Sequence, residues 1–178
     1  MIEMNIVLGR FQPLHNGHVA LLEEAFSQGQ VVIAIGSANA EMDLENPWSA
    51  EEREAMIRSW LGERQAKIVH INDINDPPNW VEHATKFHGE GVIVSSDLAT
   101  LELYEEKQFP THHVELNNRE NLAGWRVRES ARMVCTTNEE AIRMVLSESV
   151  PQSVIDWLID NDALARLAYL SPVVERVG

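Results

Sequence analysis

The sequence has little cysteine and a shortage of positive charge. Cys135 is the only cysteine among 178 residues, so an intrachain disulfide is excluded and a reducing, cytoplasmic location is expected. The 14 Lys and Arg stand against 28 Asp and Glu, which gives a net charge of −14. This balance argues against a protein that binds nucleic acid or an anionic membrane surface. A small phosphorylated ligand stays possible, because it needs only a few local cations and backbone amides.

Long hydrophobic runs are also missing. The longest unbroken one covers five residues, Val31 to Ile35, whereas a membrane-spanning helix needs about 20. The first residues, Met1 to Asn5, are acidic rather than basic and lead into no apolar stretch, so no signal peptide is expected. A hydrophobic content of 44% is typical of a folded globular domain.

Short apolar runs alternate with segments whose apolar residues recur at helical spacing. The runs predict strands at 5–9, 31–35, 68–71, 92–94 and 112–116. The spaced segments predict helices at 18–26, 50–61, 80–88, 127–134, 139–146 and 154–167. Ser49 and Glu52 form a capping box at the start of the second helix. Such alternation predicts an α/β fold with a mostly parallel sheet covered on both faces.

Nothing in the sequence marks a linker between domains. We therefore predict one domain over 1–178, with a core over about 1–120 and a C-terminal helical cap over about 121–178.

The most informative segment, GRFQPLHNGH, runs from Gly9 to His18 and directly follows the first predicted strand. Ligands of open α/β sheets bind where strands end and the next helix begins. Gly9 and Gly17 allow a phosphate to approach the backbone closely. His15 and His18 lie where a helix N-terminus favours anions, and Arg10 adds a permanent cation. The segment suits in-line attack on a phosphorus atom with pyrophosphate leaving.

This segment resembles the signature of the HxGH nucleotidyltransferases. Within that superfamily the chain is similar to the archaeal-type nicotinamide mononucleotide (NMN) adenylyltransferases. Residues 36–38 (GSA), 45–53 (ENPWSAEER), the Asp-rich loop 73–80 and the pair Val150-Pro151 match that subfamily in order. The resemblance covers nearly the whole chain.

The resemblance implies a Rossmann-like three-layer fold. It also implies the reaction ATP + NMN → NAD + pyrophosphate, with Mg²⁺ accompanying ATP. A homo-oligomer is implied as well, since archaeal relatives are often hexameric. No site for a resident metal ion is expected, because no Cys or clustered carboxylates accompany the remaining histidines at ligand spacing.

The resemblance also implies which residues meet ATP. Two histidines and two arginines would hold the triphosphate and stabilise the charge that develops during transfer: His15, His18, Arg10 and Arg128. A further set would bind ATP: Gly9, Phe11, Gln12, Gly17, Gly124 and Arg126.

A second group would bind NMN. Arg53 matches an arginine near the NMN phosphate, Trp80 an aromatic that stacks on the nicotinamide ring, and Asp73 an acidic residue near that ring. Gly36 and Ser37 follow the second strand and would approach the nucleotide. Structural alternatives stay open for these residues. Arg53 can pair with a neighbouring Glu, Trp80 can be a core aromatic, and Asp73 and Gly36 can serve only to form turns.

Two departures from the family pattern bear on the function. The family's late motif carries two hydroxyl side chains where this chain has Ala123 and Trp125, so two hydrogen-bond donors are missing, each worth about 1 kcal/mol. In the loop before Trp80, Pro77 stands where an Asn is frequent. Two alternatives to an NMN adenylyltransferase follow. One is an adenylyltransferase for another acceptor, such as nicotinate mononucleotide, and the other is a nucleotide-binding sensor without turnover.

Overall fold

Five short β-strands form one sheet in which every neighbouring pair runs parallel. In the computed structural model, which describes residues 3–170, the strands are β1 Met4–Gly9, β2 Gln30–Ile35, β3 Lys67–His70, β4 Val92–Ser95 and β5 Thr111–His113. Their order across the sheet is β3-β2-β1-β4-β5. The predicted α/β class with a parallel sheet is confirmed, and the fold is Rossmann-like.

Seven α-helices accompany the sheet within residues 3–170. They are α1 Asn16–Gln28, α2 Ala50–Leu61, α3 Trp80–His88, α4 Leu98–Glu105, α5 Gly124–Val134, α6 Glu139–Leu146 and α7 Gln152–Asp160. Short 3-10 helices span Pro77–Asn79 and Ala165–Ala168. In this described part of the chain, no helix has the length and apolar character needed to cross a membrane.

The described residues group into two compact units, each assembled from three stretches of chain. Unit 1 comprises residues 3–10, 17–39 and 63–117, and unit 2 comprises residues 11–16, 40–62 and 118–170. Residues 171–178, the end of the predicted C-terminal helical part, lie outside the described residues. The single domain stays a prediction.

The core of unit 1 surrounds the central strands. Residues 31–35 of β2 are all buried, which is typical of a parallel strand covered on both faces. Side chains of β1, β2 and β4 form one apolar cluster with side chains of α3 and α4: Ile6, Val32, Ile93, Val81, Leu101 and Tyr104. This cluster stabilises the sheet whose strand ends carry part of the candidate site.

Unit 2 is mainly helical. Helix α2 packs against α7, while α5 and α7 both contact α6. The predicted capping box of α2 is present: the amide of Glu52 donates to Oγ of Ser49 (3.2 Å), and the amide of Ser49 donates to Oε2 of Glu52 (2.9 Å). Two orphan amides at the start of α2 are thereby satisfied.

Some predicted boundaries were wrong. One helix was expected over 154–167, but α7 ends at Asp160 and a 3-10 helix begins only at Ala165. Asp162 adopts a left-handed φ of 50°, which a continuous α-helix does not allow. Helix α5 begins at Gly124 rather than at 127. The prediction missed its first three residues because they carry no apolar periodicity. Strand β5 ends at His113 rather than at 116.

Candidate active site

The carboxyl end of β1 lies at the topological switch point of the sheet, where the strand order changes direction. From β1 the chain proceeds to β2 and β3 on one side, while β4 and β5 lie on the other. Ligands of open parallel sheets bind at such switch points. Gly9 ends β1, and the exposed Arg10 follows it. At the same edge the amide of Gly36 donates to the carbonyl of Gly9 (2.9 Å), so the ends of β1 and β2 are joined.

Helix α1 begins inside the HxGH segment. Its first residue is Asn16, so His15 immediately precedes the helix while the buried Gly17 and half-buried His18 lie in its first turn. The amide of Asn16 donates to the carbonyl of Ser149 (2.8 Å). His15 belongs to unit 2, and His18 belongs to unit 1.

Residues 11–15 are buried rather than forming a solvent-exposed loop. Phe11, Gln12 and Leu14 are at most 2% exposed, and His15 is 7% exposed. The Gln12 amide is bound on both sides by one residue: its Nε2 donates to the carbonyl of Trp48 (2.9 Å), and its Oε1 accepts from the amide of Trp48 (3.1 Å). The loop is therefore held by both hydrogen bonds and packing.

The first turn of α5 meets this loop. A Cβ built on Gly124 would lie 3.0 Å from Nη1 of Arg128 and 3.9 Å from Nε2 of His15. The same Nη1 donates to the carbonyl of Gln12 (3.2 Å). Four residues predicted as site residues, Gln12, His15, Gly124 and Arg128, are thus brought together within unit 2. We call these four residues the His15 cluster.

The electrostatics of the His15 cluster keep the imidazole neutral. Burial, and after it the charge of Arg128, lowers the pKa of His15 from 6.5 to about 4. At neutral pH the ring therefore offers one N–H donor and one acceptor nitrogen. The fixed cation of the cluster is Arg128. Ala123, the N-cap residue of α5, gives no side-chain hydrogen bond to the first turn. The backbone amides and macrodipole of that turn favour an anion.

The described contacts of Arg126 are with residues outside the His15 cluster. Its guanidinium carbon lies 5.1 Å from the centre of the Trp125 ring, and its Nη1 donates to Oδ1 of Asn121 (3.2 Å). It lines a separate cavity of about 440 Å³ in unit 2, together with Ser130 and Glu148. Its predicted contact with ATP stays a prediction.

A cavity of about 270 Å³ in unit 1 contains two of the predicted acceptor-site residues. It is lined by Asp73, Ile74, Asn75, Asp76, Pro77, Trp80 and Leu103. The loop is fixed by reciprocal bonds: the amide of Asp73 donates to Oδ1 of Asn39 (2.8 Å), whose Nδ2 donates to the carbonyl of Asp73 (3.2 Å). Two aspartates and no basic side chain are among the described residues that line the cavity.

Trp80 is partly buried and also lines the cavity. Part of its ring packs against the core residues of the sheet and α3, and the ring also lines the cavity. Its centroid lies 5.8 Å from that of His83, whose Nε2 contacts the carbonyl of Asn72 (3.0 Å). The core thereby fixes the orientation of an aromatic wall.

The other predicted acceptor-site residues lie in both units. Ser37, just after β2, has a left-handed φ of 47°, a conformation that is unusual for residues other than Gly. Arg53 belongs to unit 2 and is 1% exposed, with Nε donating to the carbonyl of Ser49 (3.2 Å). A buried guanidinium requires hydrogen-bond partners of this kind.

Several residues of the site escape sequence reasoning. Trp48 belongs to a matched motif, but nothing local indicates that it binds Gln12. Asn39 has no signal at all, since its bonds to Asp73 span 34 positions. At the end of β4, Oγ of Ser95 accepts from the amide of Asp97 (3.0 Å). Ser95 and Asp97 lie near β1 only because β4 pairs with β1, and the sequence pattern does not determine this strand order.

Comparisons with known proteins identify the family of the chain. Residues 6–148 match the family described as cytidylyltransferase-like. Nicotinamide-nucleotide adenylyltransferases are similar over nearly the whole chain. The protein from Picrophilus torridus is 31% identical, over 93% of this chain and 95% of its own. The one from Thermococcus kodakarensis is 30% identical, over 98% of this chain and 92% of its own.

The fold has solved counterparts. A bifunctional NMN adenylyltransferase/ADP ribose pyrophosphatase from Francisella tularensis is 18% identical with a TM-score of 0.68, over 94% of this chain. A structure of such a protein from the same organism, complexed with AMP and a manganese ion, has a TM-score of 0.63 at 21% identity, over 91% of this chain. This chain spans about half of each of those chains, 52% and 53%.

Proposed function

Because the chain belongs to the cytidylyltransferase-like family, we propose that it is a nicotinamide-nucleotide adenylyltransferase that makes NAD and pyrophosphate from ATP and NMN. The observation that carries the proposal is the His15 cluster, in which a neutral buried imidazole and an arginine meet the first turn of α5. NMN is proposed as the acceptor because relatives that are similar over nearly the whole chain are named nicotinamide-nucleotide adenylyltransferases.

The His15 cluster suits the triphosphate of ATP. The amides of the first turn of α5 and the guanidinium of Arg128 would bind phosphate oxygens, and His15 would donate one hydrogen bond without adding charge. Arg10 and His18, together with Gly9, Gly17 and other residues of the HxGH segment, would contact the same nucleotide. The absence of hydroxyl side chains at positions 123 and 125 would weaken ATP binding by about 1 kcal/mol each.

The reaction needs positioning and charge stabilisation more than covalent chemistry. An oxygen of the NMN phosphate attacks the α-phosphorus of ATP in line, a new P–O bond forms, and the bond to the β-phosphate oxygen breaks. Pyrophosphate leaves with the electron pair. Arg128 and His18 would stabilise the negative charge that develops on the phosphoryl oxygens. Mg²⁺ would arrive on the ATP phosphates and neutralise part of their charge. Within residues 3–170, no three metal-ligating side chains are grouped to hold an ion.

The cavity beside Trp80 suits the nicotinamide end of the acceptor. The indole would stack on the pyridinium ring, which is cationic and attracted to an aromatic face. Asp73 and Asp76 line the same cavity, and no basic residue accompanies them there among the described residues. Carboxylates accept hydrogen bonds from a carboxamide but repel the carboxylate of nicotinate. Arg53, with Gly36 and Ser37, is proposed for the phosphate and ribose of NMN.

The test is turnover of purified, folded protein with ATP, Mg²⁺ and NMN, in which pyrophosphate and NAD are measured together. Equal amounts of both products are expected, with neither formed when NMN is omitted. A higher kcat/KM with nicotinate mononucleotide than with NMN would reassign the acceptor. Tight ATP binding by calorimetry without pyrophosphate release would instead indicate a nucleotide-binding sensor.

Two further expectations belong to this proposal. A homo-oligomer is expected from the resemblance noted in the sequence, and size-exclusion chromatography with light scattering tests it. The single cysteine supports a reducing, cytoplasmic setting, which stays a prediction.

A further inference from the structure

The side chain of Gln12 is bound within the protein. Its amide donates to the carbonyl of Trp48 and accepts from the amide of Trp48, and the residue is 2% exposed. A side chain bound in this way fixes the backbone that carries it. The carbonyl of Gln12 is in turn the acceptor for Nη1 of Arg128 (3.2 Å). The backbone at Gln12 therefore supplies one hydrogen-bond acceptor to the Arg128 guanidinium.

Trp48 is itself held by a distant part of the chain. Its indole is 1% exposed, and its Nε1 donates to the carbonyl of Ala163 (2.8 Å). Ala163 follows the turn that ends α7, and its amide donates to the carbonyl of Leu158 (2.9 Å). The acceptor for the indole is therefore part of a fixed turn.

A second link fastens the residues on either side of Trp48. The guanidinium of Arg166 donates to both carboxylate oxygens of Glu52 (2.7 and 2.8 Å) and to the carbonyl of Pro47 (3.2 Å). Oε2 of Glu52 also caps α2 by accepting from the amide of Ser49 (2.9 Å). Bidentate pairs of this kind fix geometry as well as adding energy.

We propose that Trp48 and Arg166 are positioning residues, which hold Gln12 and through it the Arg128 guanidinium in the geometry that binds the ATP phosphates. The inference rests on the proposed adenylyl transfer. The contacts run without interruption from Ala163 through Trp48 and Gln12 to Arg128. Neither Trp48 nor Arg166 belongs to the residues assigned to substrate. Displacements of about 1 Å in groups that position a reacting substrate cost up to about 100-fold in rate.

The primary variant is Trp48→Phe, which keeps an aromatic ring in the core and removes the N–H. We expect KM for ATP to rise by about tenfold or more, with KM for NMN within twofold of the wild-type value. Trp157→Phe is the matched control, because it makes the same chemical change at a half-buried position of α7 in the same unit. It is expected to leave both KM values unchanged. Denaturation midpoints of both variants separate loss of stability from loss of geometry.

A double-mutant cycle tests whether Trp48 acts through Arg128. If it does, Trp48→Phe adds little to the ATP defect of Arg128→Ala, since residues of one network are not additive. Additive defects in KM for ATP, or a Trp48→Phe variant equal to wild type, would overturn the inference. Arg166→Gln provides a second route should Trp48→Phe fail to fold. It is expected to raise KM for ATP in the same selective way, and an unchanged KM would count against the proposal.

The readouts keep this inference distinct from the proposed function. Absence of turnover by the wild-type protein refutes adenylyl transfer, whatever the variants do. The positioning role is then decided by calorimetry with ATP and Mg²⁺. Weaker ATP binding by Trp48→Phe and equal binding by Trp157→Phe support it, whereas equal binding by all three proteins refutes it.

Discussion

Acidification should destabilise the folded chain through His15. Burial, followed by the charge of Arg128, lowers the pKa of this imidazole from 6.5 to about 4. Below pH 6.5 the unfolded chain binds a proton at His15 that the folded chain excludes. The contribution of His15 to the free energy of unfolding is therefore fully present above pH 6.5 and is lost as the pH drops toward 4. At about 1.4 kcal/mol per pKa unit, the full loss is about 3 kcal/mol, of which about 2 kcal/mol is already lost near pH 5.

The assay is denaturant unfolding at about pH 7.5 and about pH 5, with His15→Gln as the reference protein. The variant cannot titrate at this position. Contributions from other groups cancel in the comparison, including His88, whose pKa burial also lowers. Wild type should lose about 2 kcal/mol more than His15→Gln between the two pH values. An equal loss in both proteins, or an NMR titration of His15 with a pKa near 6.5, would refute the reasoning.

Three further predictions concern activity. His18→Ala should lower kcat by about 100-fold or more while the denaturation midpoint stays unchanged, and a near-normal rate would remove His18 from the mechanism. Gly124→Ala places a Cβ 3.0 Å from Nη1 of Arg128. It should raise KM for ATP by about tenfold without loss of stability, since Ala favours helix by up to about 1 kcal/mol. The Cβ of Gly36→Ala would meet only the carbonyl of Gly9, at 3.8 Å. Stability is therefore expected to stay unchanged. KM for NMN should rise if the added methyl group occupies space used by the nucleotide, and an unchanged KM would argue against a nucleotide beside Gly36.

Locally encoded elements could be predicted from the sequence almost to the residue. Helix α2 has both its cap and its apolar spacing within the segment itself, and the predicted 50–61 is what the structure contains. Helix α3 is bounded by Gly89, and its predicted 80–88 is likewise confirmed. The end of α7 could not be found in this way. It depends on the left-handed Asp162 and on a turn whose Ala163 carbonyl binds Trp48.

The sequence suggests the chemistry of the candidate site but does not determine its geometry. The residue types and spacing of His15 and His18 are enough to suggest phosphate binding. That Gly124 meets His15 follows only from the folded chain, since 109 positions separate them. The role of Gln12 shows the same limit. Its position in the motif suggests a contact with ATP, whereas its side-chain amide binds the backbone of Trp48.

The long-range bonds around residues 11–15 have a consequence for how the molecule is made. The bonds from Gln12 to Trp48, from Trp48 to Ala163 and from Arg128 to Gln12 join residues 36, 115 and 116 positions apart. Contacts that close such long loops form slowly. On the ribosome, the five strands of unit 1 emerge before Arg128 and Ala163 do. His15 can therefore acquire its buried environment and its lowered pKa only after Arg128 and Ala163 have been synthesised, and chains that lack residues 124–163 contain the motif without Gly124 and Arg128 beside it.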